Sequence, residues 1–205
     1  IKMKLTILGS GTSQGIPVIA CQCDVCRSAD KHDKRLRSSA MLEVKGKKII
    51  IDAGPDFRYQ MLRSGVEDIR AILLTHGHKD HVGGLDDVRA FNWVKQGAVD
   101  VYGSSETRDV VYKDFSYAFA AFRYPGVPEI AYHTLDNSPF FIDDIKVIPI
   151  PVLHYKMPVL GFRIGNFAYI TDAKTIPETS FELLRGVEYL VVNALRKEEH
   201  LSHFN

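Results

Sequence analysis

Thr75-His76-Gly77-His78-Lys79-Asp80-His81 packs four metal-ligand side chains into six consecutive positions. The run before it, Ile69-Arg70-Ala71-Ile72-Leu73-Leu74, is short and apolar, the pattern of a buried strand. Gly83-Gly84 and then Leu85-Asp86-Asp87-Val88-Arg89-Ala90-Phe91 read as a turn entering a helix. The ligands therefore sit on a strand-to-helix loop, where a rigid scaffold can aim them at one point. Alternate residues leaving a strand point the same way, so His76 and His78 can share one ion. Asp80 and His81, past the bend, are better placed for a second. Imidazole nitrogen with carboxylate oxygen suits zinc and tolerates manganese or iron. The plain alternative, a surface loop that happens to be rich in histidine, does not account for this density.

Other ligand-type residues stand at the ends of predicted strands. His154 follows Val147-Ile148-Pro149-Ile150-Pro151-Val152-Leu153, and Asp172 follows Ala168-Tyr169-Ile170-Thr171. A lone His or Asp in such a place is more often a cap or turn residue than a ligand. The metal loop reverses those odds, because ligands arriving from strand ends can converge on one edge of a sandwich. Asp52, after Ile49-Ile50-Ile51, is either a turn aspartate ahead of Ala53-Gly54 or the acceptor for a metal-bound histidine's other ring N–H. Cys21, Cys23 and Cys26 leave an odd thiol under any disulfide scheme. A structural zinc fits them better, with His32 near enough in sequence to be a fourth ligand. The other reading is three reduced, buried thiols.

The His-x-His-x-Asp-His spacing, the opening Lys4-Leu5-Thr6-Ile7-Leu8-Gly9-Ser10-Gly11-Thr12 and the Asp-x-Gly of Ile49–Gly54 resemble the metallo-β-lactamase-fold hydrolases along nearly the whole chain. Cys21-x-Cys23-x-x-Cys26 and His200-Leu201-Ser202-His203-Phe204 narrow the resemblance to the PhnP-type branch. Those phosphodiesterases of the phosphonate-degradation pathway open cyclic ribose phosphates. The resemblance implies an α+β fold, an αββα sandwich of two facing mixed β-sheets with helices outside, as one domain over 1–205. It implies one divalent ion on His76, His78 and His154 and a second on Asp80 and His81, with Asp172 bridging both. Asp52 would then support a ligand histidine from behind. Asp80 and His203 would be the residues on which catalysis depends, His203 as general acid or electrostatic partner to the leaving oxygen, with His200 as the fallback. In that branch the cysteine zinc and the second active-site ion each take a further ligand from a segment after the one matching His203. The resemblance therefore implies a native chain that continues past Asn205, with 1–205 lacking its C-terminal part. A homodimer is implied as well.

Composition agrees with a soluble enzyme. At 205 residues, 45% hydrophobic and 25% charged, the chain is an ordinary globular domain with ample core. A formal net charge of +1 builds in no general attraction to nucleic acid or membrane. The basic cluster Lys31-His32-Asp33-Lys34-Arg35-Leu36-Arg37 reads as a solvated loop. No apolar stretch approaches the roughly 20 residues that span a bilayer, and no signal peptide is visible, so a cytoplasmic location is expected. The opening Ile1-Lys2-Met3 reads as a trimmed or tagged end.

The layout predicts strands at Lys4–Gly9, Val99–Gly103, Ile145–Val152, Val159–Ile164 and Phe167–Thr171, and a hairpin of Met41–Val44 with Lys48–Asp52 around Gly46. It also predicts helices at Pro55–Ser64, Ser104–Phe122 and Phe181–Leu184, and a last buried strand at Tyr189–Val192. The expected function is dinuclear metal-dependent hydrolysis of a small phosphodiester, possible substrates including a cyclic ribose or nucleotide phosphate. Two cations sharing a hydroxide would clamp the attacking and leaving oxygens. The rivals are a ribonuclease Z-like tRNA endonuclease, a glyoxalase-type thioesterase and a metal-binding module without turnover. The long protruding arm with which ribonuclease Z grips tRNA has no basic counterpart in this sequence, so nucleic acid is not the expected partner.

Overall fold

The computed structural model describes residues 2–205. The chain divides into two compact units, Lys2–His133 and Thr134–Asn205, each organised on one β-sheet. The expected α+β class is observed: two mixed sheets with helices.

The first unit contains β1 (Met3–Gly9), the short α1 (Asp24–Arg27), β2 (Ser39–Val44), β3 (Lys47–Ile51), α2 (Phe57–Arg63) and β4 (Ala71–Leu73). It continues through α3 (Lys79–Val82), a 3-10 turn at Leu85–Val88, α4 (Arg89–Lys95), β5 (Val99–Gly103), α5 (Ser105–Asp114), α6 (Ser116–Phe119) and β6 (Ile130–Thr134). The six strands lie in chain order. β2 and β3 form the predicted hairpin through Lys45 and Gly46, whose φ of 51° and 77° are the paired positive values of a two-residue turn matched to strand twist. β3 then pairs parallel with β4, and β4 with β5. Strands inside a parallel region are covered on both faces, and Ile49, Ile50, Ile51 and Ile72 are accordingly buried. The core of this unit joins Leu8, Ile50 and Leu74 to Phe57 and Met61 of α2 and to Val82, Leu85 and Val88 after the metal loop.

The second unit holds β7 (Phe140–Ile142), β8 (Ile145–His154), β9 (Met157–Ile164), β10 (Phe167–Ile170), α7 (Glu178–Leu183) and β11 (Tyr189–Val192). The strand order is β11-β10-β9-β8-β7. All neighbours are antiparallel except β10 and β11, which run parallel. Ile150, Val152, Val159, Ala168, Ile170 and Ala173 make its core, with Phe204 from the tail packed against them.

Four expectations need correction. The layout read from sequence lacks β6 and β7, because Ile130–Thr134 ends in polar residues and β7 has only three residues. The predicted helix Ser104–Phe122 breaks at Phe115, where φ −116° and ψ 38° turn the chain and put the Phe115 ring into the core. Leu85–Phe91 enters α4 through a 3-10 turn rather than as one helix. Tyr189–Val192 is a strand but not a buried one: as the edge strand of its sheet it leaves Tyr189, Leu190 and Val192 exposed.

A charged cluster ties three parts of the first sheet. Asp100 on β5 accepts from Arg70 at 2.5 Å and from the Nε2 of His133 on β6 at 2.8 Å, with Lys95 at 3.4 Å. Burial alone would raise the Asp100 carboxyl, but His133, then Arg70 and Lys95, outweigh it and hold the group below the ordinary carboxylate range. A depressed carboxyl contributes stability above its unfolded pKa of about 3.9 and loses it as pH falls through the lower folded value. Asp100→Asn should therefore cost about 1–2 kcal/mol near neutrality, a drop in Tm of roughly 2–8 °C. In urea melts across pH, the gap between variant and parent should close below about pH 4. A gap unchanged down to pH 3 would show that the ionised carboxylate is not what stabilises β5 and β6.

Candidate metal centre

In the first unit the site starts from the end of β3. Asp52 is fully buried and has φ +64°, a left-handed backbone that costs a non-glycine residue about 1–3 kcal/mol. Its carboxylate is met by three donors. Oδ1 accepts the Thr75 backbone N–H at 2.8 Å, and Oδ2 accepts the Thr75 hydroxyl at 2.8 Å and the His81 Nδ1–H at 2.7 Å. Burial pushes the Asp52 carboxyl up, and His81 and Thr75 pull against it. A buried carboxylate is tolerated only when so paired.

These bonds set the histidine tautomers. With Nδ1–H on Asp52, His81 turns Nε2 toward the Asp80 carboxylate, 3.2 Å from its Oδ2. The Thr75 hydroxyl has one proton, given to Asp52, so it accepts from His76 Nδ1 at 3.0 Å. His76 then presents Nε2, which lies 3.0 Å from Nδ1 of His78. Two nitrogens on one tetrahedral zinc stand roughly 3.4 Å apart, given bonds of about 2.0–2.1 Å. The His76–His78 separation of 3.0 Å is shorter than that bite but within a small side-chain shift of it, and the donor set of this unit fits divalent ions. The structure brings His76 to His78 and Asp80 to His81.

The backbone clamps the loop against the β3 end. Ala53 N–H donates to the His81 carbonyl and Gly84 N–H to the Ala53 carbonyl, both at 2.8 Å. A Cβ on Gly54 would stand 1.9 Å from the Asp80 carbonyl oxygen, and one on Gly84 2.1 Å from that of Gly54. Lys79 pairs with Asp114 at the end of α5, while Gly77 leaves room for Val110.

In the second unit His154, Asp172 and His203 bring ligand atoms within 4.8 Å of one another. His154 at the end of β8 donates Nδ1–H to the Ser202 carbonyl at 2.8 Å, so Nε2 is the atom presented to a metal. His203 Nδ1 lies 3.8 Å from Asp172 Oδ1, and its ring is 4.6 Å from that of His154. His200 is not in this group: its Nδ1 meets the Ser202 N–H and hydroxyl at 3.3 Å, and its ring is 5.0 Å from His203.

Cys21, Cys23 and Cys26 form a third group within 4.8 Å and hold no disulfide. The Cys26 backbone N–H, then the Cys21 side chain, hold the Cys23 thiol below its ordinary value, while at Cys26 the Val18 N–H pulls down but burial and the neighbouring thiols together push the thiol up. His32 is outside the group and exposed, its ring bonded to Asp30. The sulfur set fits a structural zinc.

Sequence reasoning missed Thr75 and Ser202. Thr75 could have been suspected from its place one residue before the first ligand. Ser202 acts through its carbonyl, which no residue type announces.

Residues 47–205 match the family model described as a β-lactamase superfamily domain. A solved structure titled as a new diphosphatase from the PhnP family is 41% identical, with a TM-score of 0.91 over 98% of this chain and 77% of that one. An octanoyltransferase of Porphyromonas gingivalis is 42% identical over 98% of this chain but only 41% of its own length. A ribonuclease Z of a Nostoc species is 29% identical over 80% of this chain and 47% of its own. The chain thus spans less than half the length of these two curated relatives. Among the described residues no helix is long and apolar enough to cross a membrane.

Asp52→Asn should weaken zinc binding by about 10–100-fold, because an amide cannot accept from all three donors. Competition with a chromophoric chelator measures this, and parental affinity in the variant would remove Asp52 from the support of His81. Gly54→Ala should lose more than about 2 kcal/mol of stability or the same metal affinity, since two backbones must part.

Proposed function

The chain belongs to the β-lactamase superfamily, in its PhnP-like branch; from that premise we propose that it is a metal-dependent hydrolase and, more finely, a dinuclear phosphodiesterase acting on a small phosphodiester such as a cyclic ribose or nucleotide phosphate. In this reading His76, His78 and His154 would hold one divalent ion, Asp80 and His81 would hold the other, and Asp172 would contribute to both. Zinc or manganese suits this set, and iron is compatible with it. When bound, such cations would supply a water of lowered pKa, about 7, and positive charge for the phosphoryl oxygens.

The protein's own part is orientation. Asp52 keeps the proton of His81 on Nδ1, and Thr75 does the same for His76, so both rings are aligned before substrate arrives. Ser202 does this for His154. The observation that carries the phosphodiester reading is His203, seated beside Asp172 and His154 on a tail strapped to the sheet. A phosphodiester must expel an alkoxide, and an imidazole is the side chain suited to protonating it near neutrality. With Nδ1 toward Asp172, His203 would give its proton from Nε2. The 41%-identical neighbour, a diphosphatase of the PhnP family, supports chemistry at phosphorus.

The test is a panel of bis(p-nitrophenyl) phosphate, a cyclic ribose phosphate, an octanoyl thioester and a labelled tRNA precursor, each with metal-loaded protein. The diesters should turn over. Asp80→Ala should lose one ion and nearly all activity. His203→Ala should keep both ions and lose about 10²–10⁴-fold in rate. Release of metal by His203→Ala would refute the acid role, and thioester or tRNA turnover alone would move the reading to acyl or RNA chemistry.

A further inference from the structure

β10 runs on into Thr171-Asp172-Ala173, and Asp172 leaves the strand with φ +56°, a left-handed conformation that a Cβ disfavours. A residue kept there needs its neighbours fixed on both sides. Upstream, the strand ladder does this, since Ile170 pairs with Val192 of β11. Downstream, the buried Ala173 lies past the last ladder pair.

At that point a side chain takes over from the backbone. Asn193, the first residue after β11, accepts the Ala173 N–H on Oδ1 at 2.8 Å and donates Nδ2–H to the Ala173 carbonyl at 3.0 Å. Two strands exchange this pair of bonds through their peptide groups, and a carboxamide carries the same donor and acceptor. The amide orientation follows from its partners, because a backbone N–H can only donate. The same Ala173 carbonyl accepts the Phe204 N–H at 2.8 Å, and Phe204 returns its own carbonyl to Leu195 N–H at 3.0 Å. Ala173 is therefore the joint between the strand that presents Asp172 and the tail that carries Ser202 and His203.

Building on the dinuclear reading, we propose that Asn193 is a positioning residue: it holds Asp172 in its ligand conformation without touching substrate or ion itself. Asn193→Ala removes both bonds. Asn193→Asp keeps the acceptor but sets a carboxylate against the Ala173 carbonyl. Asn166→Ala is the control, removing an amide bond to Glu188 of 2.8 Å at the other end of the same parallel pair.

The measurement is the affinity of the full chain for Mn2+ alone, by titration well below the Tm, with metal-free thermal melts alongside. Asn193→Ala should bind about 10–100-fold more weakly, with Asn193→Asp in between, while Asn166→Ala stays within about twofold of the parent. A merely structural role predicts lower metal-free Tm values with unchanged affinity. If Asn193→Ala fails to fold, Asn193→Asp decides. Parental affinity in the Asn193 variants, or an equal loss in Asn166→Ala, overturns the assignment. Should the parent bind Mn2+ yet cleave no diester, weak binding by Asn193→Ala still supports the clamp while the phosphodiesterase reading fails. Should the parent cleave diesters and Asn193→Ala bind normally, only the clamp fails.

Discussion

The ligand cluster of the first unit hangs on the buried carboxylate of Asp52. An ionised carboxylate without water is sustained only by donors, and removing one from such a group is more damaging than never having built it. Asp52 has the Thr75 N–H, the Thr75 hydroxyl and the His81 ring. Those bonds also offset the strain of its left-handed backbone. The end of β3, the end of β4 and the start of α3 are thereby locked to one another. His76 and His81 inherit their orientation from that lock rather than from any bound ion.

The two units repeat this device with a different outcome. In each sheet one strand has an antiparallel neighbour on one side and a parallel neighbour on the other: β3 between β2 and β4, β10 between β9 and β11. Each such strand runs on into an Asp-Ala pair whose aspartate has positive φ, 64° at Asp52 and 56° at Asp172. The ends of parallel strands are where α/β sheets commonly place ligands, because neighbouring chains leave there in different directions. At Asp52 the carboxylate turns inward and orients a histidine. At Asp172 it stands beside His154 and His203.

Much of this was legible in the sequence, for identifiable reasons. The metal loop could be read because ligand chemistry restricts residue types, and because the apolar run before it and the glycines after it mark a strand and a turn. The β2–β3 hairpin could be read from Gly46. Less could be read where structure depends on distant partners. The break at Phe115 follows from a ring seeking the core, and exposure of β11 follows from its edge position, neither of which local pattern encodes. The left-handed aspartates carry no compositional mark. The support of His154 comes from a backbone carbonyl 48 residues away, and no spacing rule reaches that far.

In the proposed dinuclear reading these ligands would serve two ions close enough to act together. Electron paramagnetic resonance of the full chain titrated with Mn2+ tests it directly, because manganese prefers the nitrogen and oxygen donors to the cysteine sulfurs. Two equivalents should bind and, at two equivalents, the spectrum should be that of an exchange-coupled pair. Saturation at one equivalent, or two equivalents giving only the six-line signal of isolated Mn2+, would contradict it.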